Sequence, residues 1–236
     1  MNQKRTGCLV CGAPLKYSKT PKPVTCVFCG REFSAHAVCE NGHYVCDECH
    51  SKKGIEGILR VCRGTDSRDP VAIAMKAMRD PFVAMHGPEH HVLVGAALLA
   101  AYRNSGGGID LDAALEEMRA RGAEYPGGAC GYWGCCGAAV SAGMFLSIVT
   151  GADPLSRESW SMANRMTSLA LKRIADQGGP RCCKRDSYAA LLEAVKFCRE
   201  ELGVSMQLPE KIVCPFFKEN NECLGEACPY NPRHRQ

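Results

Sequence analysis

The amino-acid sequence predicts a mainly α-helical protein with a small N-terminal module that is held together by bound metal ions. Residues 1–51 are rich in cysteine and glycine and have little apolar periodicity, so they cannot bury enough surface to fold without metal. From about residue 52, helical patterns with recognisable starts and stops follow one another. We therefore expect a zinc module with short β-hairpins over 1–51, an α-helical domain of six or seven helices over 52–210, and a cysteine-rich, metal-binding tail over 211–236.

The helices of the central part are predicted from apolar periodicity and from their end signals. Proline at a first helical position and glycine just past a helix end mark several boundaries, and Asp186 is predicted as the N-cap of the last helix. The most apolar stretch, residues 137–149, is shorter than the roughly twenty residues that a membrane span needs. We interpret it as a buried core helix and expect no membrane partner. The predicted helices are 54–62, 70–78, 88–104, 110–121, 134–150, 156–177 and 187–202.

Cysteine is the compositional outlier, with 17 residues in 236. Most of them occur as close pairs, which favours metal ligation over long-range disulfides. Basic residues near the start have no apolar run behind them, so we expect no signal peptide and a reduced, cytoplasmic location. The net charge of +4 is too small to indicate a nucleic-acid partner.

The N-terminal module carries eight ligands for two structural zinc ions. Two CxxCG motifs could complete one tetrahedral shell, and a second cluster follows immediately with three cysteines and a histidine. The stretch from Gly42 to Cys49 resembles a RING-type or treble-clef finger, in which ligand pairs can interleave, so the pairing stays open. His36 and His50 are reserve ligands. The eight predicted ligands are Cys8, Cys11, Cys26, Cys29, Cys39, His43, Cys46 and Cys49.

The segment from His86 to His91 contains the string HxxEH of inverted zinc proteases. Because Pro88 fits only the first position of a helix, His86 should lie outside the helix and the protease geometry is lost. Three histidines and Glu89 at a helix start could still bind metal or exchange protons, or they could simply cap and pack the helix. The candidate catalytic residues are His86, Glu89, His90, His91, Cys182 and Cys183.

Two further cysteine groups lie at predicted helix starts. One group has Cys130, Cys135 and Cys136 among four glycines, and the other is the adjacent pair Cys182 and Cys183. Helix N-termini and the cations around the adjacent pair should lower the pKa of these thiols. Such thiolates suit metal ligation, sulfur transfer or redox exchange, although buried cysteines can also serve only as packing residues.

The tail contains Cys214, Cys223 and Cys228 in the spacing C-x8-C-x4-C. This spacing resembles a CCCH zinc finger, which would stack RNA bases on Phe216, Phe217 or Tyr230, but Pro232 stands where the histidine should be and His234 comes two residues later. Alternatively, the three cysteines ligate an iron–sulfur cluster of the [4Fe–4S] type, whose fourth ligand comes from the adjacent pair or from the 130–136 loop.

Several motifs together resemble an uncharacterised family of cysteine-rich proteins from anaerobic bacteria and archaea. They are NGHYVCDECH, MHGPEHH, GYWGCCGAA, GGPRCCKR and the CPFF…CPY tail. The resemblance implies an anaerobic setting and no established activity. The Gly-Cys-Cys-Gly-Ala loop also resembles, more loosely, small redox proteins with a GCA motif.

These patterns favour a metalloprotein in which the zinc module is a scaffold and the remaining cysteines converge on one iron–sulfur or redox-active thiolate site. Electron or sulfur transfer would be its function, with a protein partner or a small molecule as its counterpart. The alternatives are a nonenzymatic module that binds RNA or protein, and a thiol-based sensor of soft metals. The sequence leaves open whether the protein is an enzyme.

Overall fold

In the computed structural model of the protein, which describes residues 7–234, the chain begins with an antiparallel hairpin of β1 (Leu15–Thr25) and β2 (Glu32–Cys39). The register pairs the last residue of β1 with the first of β2 at the tip, and Leu15 with Cys39 at the base. Seven residue steps along β2 separate tip from base, which corresponds to about 23 Å. The turn at the tip is the segment that carries the second CxxC motif.

Eight α-helices follow among the described residues, and the mainly α fold class is confirmed. The four-residue helix α5 was not predicted, and α1 starts at Asp47, so the expected domain boundary at 51/52 falls inside a helix. None of the described helices is both long and apolar enough to cross a membrane. The helices are α1 (Asp47–Arg63), α2 (Pro70–Ala77), α3 (His90–Asn104), α4 (Leu111–Glu124), α5 (Ala129–Tyr132), α6 (Gly137–Thr150), α7 (Glu158–Asp176) and α8 (Cys183–Glu201).

The start of α8 differs from the prediction in a way that shapes the candidate sites. Asp186 is not the N-cap, because the helix begins earlier and Cys182 caps it, with its Sγ accepting the backbone N–H of Arg185 at 3.5 Å. A thiol is not among the usual capping groups, so end signals in the sequence point to the wrong residue. Asp186 instead lies in the first turn, where the helix dipole favours a carboxylate, and it accepts the N–H of Cys182 at 3.4 Å.

Helix α3 forms the centre of the core. Residues 92–101 are almost completely buried, and α1, α2, α4, α6 and α8 pack around them. A helix that is apolar on every side is stable only inside such a ring of neighbours. The close approach of α6 depends on small residues, since the N–H of Gly95 donates to Ser141 Oγ at 2.9 Å and a Cβ at Gly95 would stand only 3.0 Å from the Ser141 carbonyl oxygen.

The hairpin packs against the helical part through aromatic contacts. The ring of His36 stacks on Tyr132 with a centroid separation of 4.2 Å, and the Tyr132 hydroxyl donates to the Ser18 carbonyl at 3.2 Å. Arg181, just before α8, donates to the hydroxyl of Tyr17 at 2.8 Å and lies over its ring. The hairpin therefore lies over α5 and the segment that precedes α8.

Candidate metal and thiol sites

The eight predicted zinc ligands are brought together in two groups, each with ligand atoms within 4.8 Å of one another. Each group has two buried and two less buried members, so an ion would be partly shielded from water. The first metal group is Cys8, Cys11, Cys39 and His43, and the second metal group is Cys26, Cys29, Cys46 and Cys49.

The spacing of the ligand atoms fits a tetrahedral ion. Bond lengths of about 2.3 Å to sulfur and 2.0–2.1 Å to nitrogen require S–S edges of about 3.8 Å and S–N edges of about 3.6 Å. The Sγ atoms of Cys11 and Cys39 are 3.9 Å apart, and His43 Nδ1 lies 3.4 and 3.5 Å from these two sulfurs. In the second group, the sulfurs of Cys29 and Cys46 are 3.8 Å apart. Both groups can therefore hold a metal ion such as zinc without rearrangement.

The ligand pairs alternate along the chain, because the hairpin separates the two CxxC motifs. The first motif lies near the hairpin base, where the register places Cys39 beside Leu15. The second motif forms the tip, where Cys26 bridges to Tyr44 and so brings the start of α1 close. The two CxxC motifs cannot share an ion across about 23 Å of hairpin.

The turns of both motifs need glycine. Gly12 and Gly30 have φ angles of +71° and +70°, and their N–H groups donate to the carbonyls of Cys8 and Cys26. Hydrogen bonds from the backbone and from the Asn41 side chain lower the pKa of Cys11 to about 6, which prepares its sulfur as a thiolate ligand.

The two reserve histidines lie outside both metal groups. Besides stacking on Tyr132, His36 has its Nδ1 3.0 Å from the Ser18 carbonyl oxygen. His50 has its Nδ1 3.4 Å from a carboxylate oxygen of Glu89. Both histidines therefore connect the N-terminal module to the rest of the fold.

The side chains of the HGPEHH segment point in different directions and do not surround one common site. His86 Nε2 lies 2.8 Å from the Glu222 carboxylate and 3.2 Å from Asn220 Oδ1 in the tail. His91 Nδ1 lies 3.0 Å from the Tyr125 carbonyl oxygen, on another side of α3. Among residues 7–234, this segment contributes to neither of the two compact metal-ligand groups.

Glu89 and His90 are fully buried and belong to a chain of polar contacts. The Glu89 carboxylate lies between His50 Nδ1 at 3.4 Å and His90 Nδ1 at 3.5 Å, and His90 Nε2 lies 3.1 Å from Lys184 Nζ. Burial favours the neutral acid, but the neighbouring His50 side chain outweighs it and lowers the pKa of Glu89 to about 2. Burial, with the Lys184 charge, lowers the pKa of His90 to about 3. Glu89 is therefore ionised and His90 neutral near neutral pH.

The adjacent cysteines at the start of α8 do not line the same pocket. Cys182 lines a small pocket of about 20 Å³ together with all three tail cysteines. Cys183 does not line this pocket, and its charge would interact with the charges of Cys136 and Arg181 instead. The pocket lining contains none of Cys130, Cys135, Cys136 and Cys183, all of which are among the described residues. The pocket therefore gathers only part of the cysteines expected to converge on one site, because the side chains of consecutive residues at a helix start point in different directions.

The tail pocket, as we call the site of Cys182, Cys214, Cys223 and Cys228, has hydrogen-bond donors near its sulfurs. Asn220 Nδ2 donates to Cys182 Sγ at 3.4 Å, and Asn231 Nδ2 lies 3.8 Å from Cys223 Sγ. Lys184 and Arg185 also line the pocket, and both are at least 97% buried. The pocket therefore combines four thiols with amide donors and cations.

The expectation of low thiol pKa values at the helix starts is wrong. Burial raises the pKa of Cys182 and Cys183 and raises that of Cys136 to about 12, despite the neighbouring cations and helix N-termini. The cost of placing a charge in these part-buried positions outweighs the favourable dipoles and charges. A bound cation would reverse this balance, since a coordinating thiol loses its proton.

Several residues of these sites carry no signal in the sequence. Asn220 and Asn231 are ordinary polar residues of a tail, and nothing local indicates that their amides approach sulfur. From the sequence, Lys184 is expected to be a solvated cation of a basic loop. In the structure its side chain is only 1% exposed, and it donates to the Ala84 carbonyl at 2.8 Å. The packing of the tail and of the HGPEHH segment against α8 brings Asn220, Asn231 and Lys184 to these sites.

Fold and sites together define a mainly α-helical protein whose N-terminal hairpin module has two groups of residues that could hold metal ions. Residues 58–231 match the model of a family of unknown function, DUF5714, and because this match covers most of the 236 residues, the chain belongs to that family. The match takes in most of the helical part and nearly all of the tail, whereas both metal groups lie outside it. None of the curated proteins and none of the solved structures compared with the chain matches it.

Proposed function

We propose that the protein transfers electrons through a [4Fe–4S] cluster held by Cys182, Cys214, Cys223 and Cys228. The observation that carries this proposal is that these four cysteines, from two distant segments, line one pocket. Four cysteine thiolates are the usual ligands of such a cluster. The three tail cysteines alone would leave one ligand missing, and the N-cap of α8 supplies it.

The spacing of the tail sulfurs is compatible with a cluster, although they do not form a compact group for a single ion. Among the described residues, only the two N-terminal groups bring three or more ligand atoms within 4.8 Å of one another. The tail sulfurs are thus spread more widely than one tetrahedral ion requires. In a cluster the iron atoms occupy separate corners, so its cysteine ligands lie farther apart.

The surroundings of the pocket also suit a negatively charged group. Four thiolates concentrate negative charge, and the cations of Lys184 and Arg185 lie in the pocket wall. The Asn220 amide and the Arg185 backbone N–H both donate to Cys182 Sγ, and hydrogen bonds to the sulfurs tune the potential of a cluster. A cluster bound there would accept and release single electrons. A reducing cytoplasm and an anaerobic setting, which we also propose, would preserve it.

The adjacent cysteines provide a matched pair of variants. After anaerobic reconstitution with iron and sulfide, we expect a brown protein with equal amounts of bound iron and sulfide. Cys182→Ser should lose most of this chromophore, whereas Cys183→Ser should keep it, because Cys183 does not line the pocket. A colourless wild-type protein that holds only zinc would refute the cluster. Equal loss in both variants would refute the assignment of ligands.

The RNA-binding alternative has less support. Two of the three aromatic residues expected to stack bases, Phe216 and Tyr230, are 3% and 6% exposed and pack in the core. His234, the substitute finger ligand, has its Nδ1 2.7 Å from the Glu226 carbonyl oxygen. Base stacking needs exposed aromatic faces, so we do not favour this function.

A further inference from the structure

The contacts of His86 connect the HGPEHH segment to a sulfur of the tail pocket. His86 Nε2 lies 3.2 Å from Asn220 Oδ1, although the two residues are 134 positions apart in the sequence. The Nδ2 atom of Asn220 in turn donates to Cys182 Sγ at 3.4 Å. His86, Asn220 and Cys182 thus form a line of contacts, which we call the amide relay, and the relay ends on a proposed ligand of the cluster.

The orientation of the Asn220 side chain is fixed by an unambiguous donor. The backbone N–H of Glu222 donates to Asn220 Oδ1 at 3.0 Å, so the atom at this position is the amide oxygen and the other is the amide nitrogen. Asn220 is only 7% exposed, so water has little access to compete for its amide. The N–H of the Asn220 amide therefore faces the Cys182 sulfur.

His86 presents a proton to the Asn220 oxygen. Its Nε2 atom lies beside two acceptors, because the Glu222 carboxylate is 2.8 Å away on the same side of the ring. An N–H on Nδ1 would instead be buried with no hydrogen-bond partner among residues 7–234. Nε2 therefore carries the hydrogen, and the imidazole holds the oxygen end of the Asn220 amide in place.

A hydrogen bond to a ligand sulfur changes the reduction potential of a cluster. Reduction places one electron on the cluster, and the added negative charge is shared with its thiolate ligands. A donor beside a thiolate stabilises this more negative form more than the oxidised form, so the potential rises. The relay changes the energy of this step without transferring a proton.

We propose that His86 is a positioning residue of the tail pocket, which holds the Asn220 amide on the Cys182 sulfur and thereby raises the reduction potential of the bound cluster. The inference rests on the cluster proposed for this pocket. Groups that contact the ligands of a metal centre are commonly oriented by further hydrogen-bond partners, and His86 is such a partner for Asn220.

Anaerobic redox titration of the reconstituted protein measures the potential directly. We expect Asn220→Ala to lower the equilibrium constant for one-electron reduction by about tenfold, which corresponds to about 59 mV. His86→Leu should lower the potential in the same direction, whereas His86→Gln, whose amide nitrogen can still donate, should keep it near the wild-type value. Iron and sulfide are measured in every sample. Unchanged potentials in both Asn220→Ala and His86→Leu would overturn the proposal.

Double variants separate positioning from a general effect of His86 on the fold. Because His86 acts through Asn220, adding His86→Leu to Asn220→Ala should cause no further shift in potential. Adding His86→Leu to Asn231→Ala, the matched control, should cause the full shift, since the Asn231 amide lies near Cys223 instead. Equal shifts from His86→Leu in both backgrounds would overturn the proposal.

A third measurement leaves the amide relay unaltered. The protein is isotope-labelled at the nitrogens of its asparagine side chains, reconstituted and reduced with dithionite, and electron–nuclear double resonance detects nitrogen nuclei coupled to the cluster. We expect a coupling from the label that persists in Asn231→Ala. A brown protein without this coupling would overturn the relay alone. A colourless wild-type protein would overturn the cluster and, with it, the relay.

Discussion

The contact between Glu89 and His50 should stabilise the attachment of α1 to the helical core, and a double-mutant cycle can measure it. Glu89 is 0% exposed, and its carboxylate lies 3.4 Å from His50 Nδ1. His50 immediately follows Cys49 of the second metal group, so this contact joins that group to the core. The perturbation is Glu89→Gln, which keeps the shape of the side chain and removes its charge.

Breaking a buried ion pair from one side costs about 3–5 kcal/mol. Here the lower end applies, because the His50 side chain is 19% exposed and can release its proton when Glu89 is lost. We therefore expect Glu89→Gln to lower the free energy of unfolding by about 3 kcal/mol near pH 6. Burial favours the neutral imidazole, but the neighbouring Glu89 carboxylate outweighs it and raises the pKa of His50. The stabilisation is therefore complete below the ordinary pKa of histidine and declines as pH rises through the raised value.

The assay is urea unfolding of zinc-loaded wild-type protein, Glu89→Gln, His50→Gln and the double variant, at several pH values from 6 to 9. We expect a coupling energy of about 1–3 kcal/mol between the two positions at pH 6, and a smaller one at pH 9. Zinc content is measured in each sample, because His50 neighbours a metal ligand.

Additive effects of the two substitutions at pH 6, with zinc retained, would refute this reasoning. They would mean that the carboxylate and the imidazole do not stabilise each other in the folded protein. A coupling that grew with pH would also refute it, since the sign of the His50 shift requires the opposite.

Three further outcomes are expected. Replacing Cys8 and Cys39 by Ser should release one zinc ion, whereas replacing Cys8 and Cys46 should release both; metal analysis reversing this pattern would contradict the alternating pairing. Because the pKa of His90 is lowered in the folded protein, the unfolded chain takes up a proton at this residue before the folded protein does as pH falls. The free energy of unfolding should therefore decrease by about 2 kcal/mol from pH 6.5 to 5. Urea unfolding of His90→Gln should lack this decrease. Leu98→Ala should cost about 2–5 kcal/mol because Leu98 is completely buried, and a loss below 1 kcal/mol in denaturant unfolding would contradict the central position of α3.

Helix positions could be predicted because their determinants are local. Pro70 and Gly151 mark a start and an end that the structure places within one residue of the expected positions. The start of α8 could not be predicted, because its cap is the thiol of Cys182 and depends on contacts with the tail. The short helix α5 has too few residues to show a period.

The eight N-terminal ligands could be identified from spacing, but their pairing could not. A CxxC motif defines two ligands by local geometry, whereas the partner pair depends on hairpin length and register. The thiol pKa values were misjudged for a related reason. Nearby cations are visible in the sequence around Cys183, but the burial that outweighs them is not.

By itself, the sequence determined the helical fold class and the eight residues that form the two groups able to hold a metal ion, because periodicity, turn residues and ligand spacing act over a few positions. Only the tertiary structure decided which ligands share an ion and which thiols meet. It placed Cys182 in the pocket of the tail cysteines and Cys183 outside that pocket, although the two are neighbours in the chain. The physical reason is that consecutive side chains at a helix start point to different sides, and what lies on each side is set by the packing of distant segments.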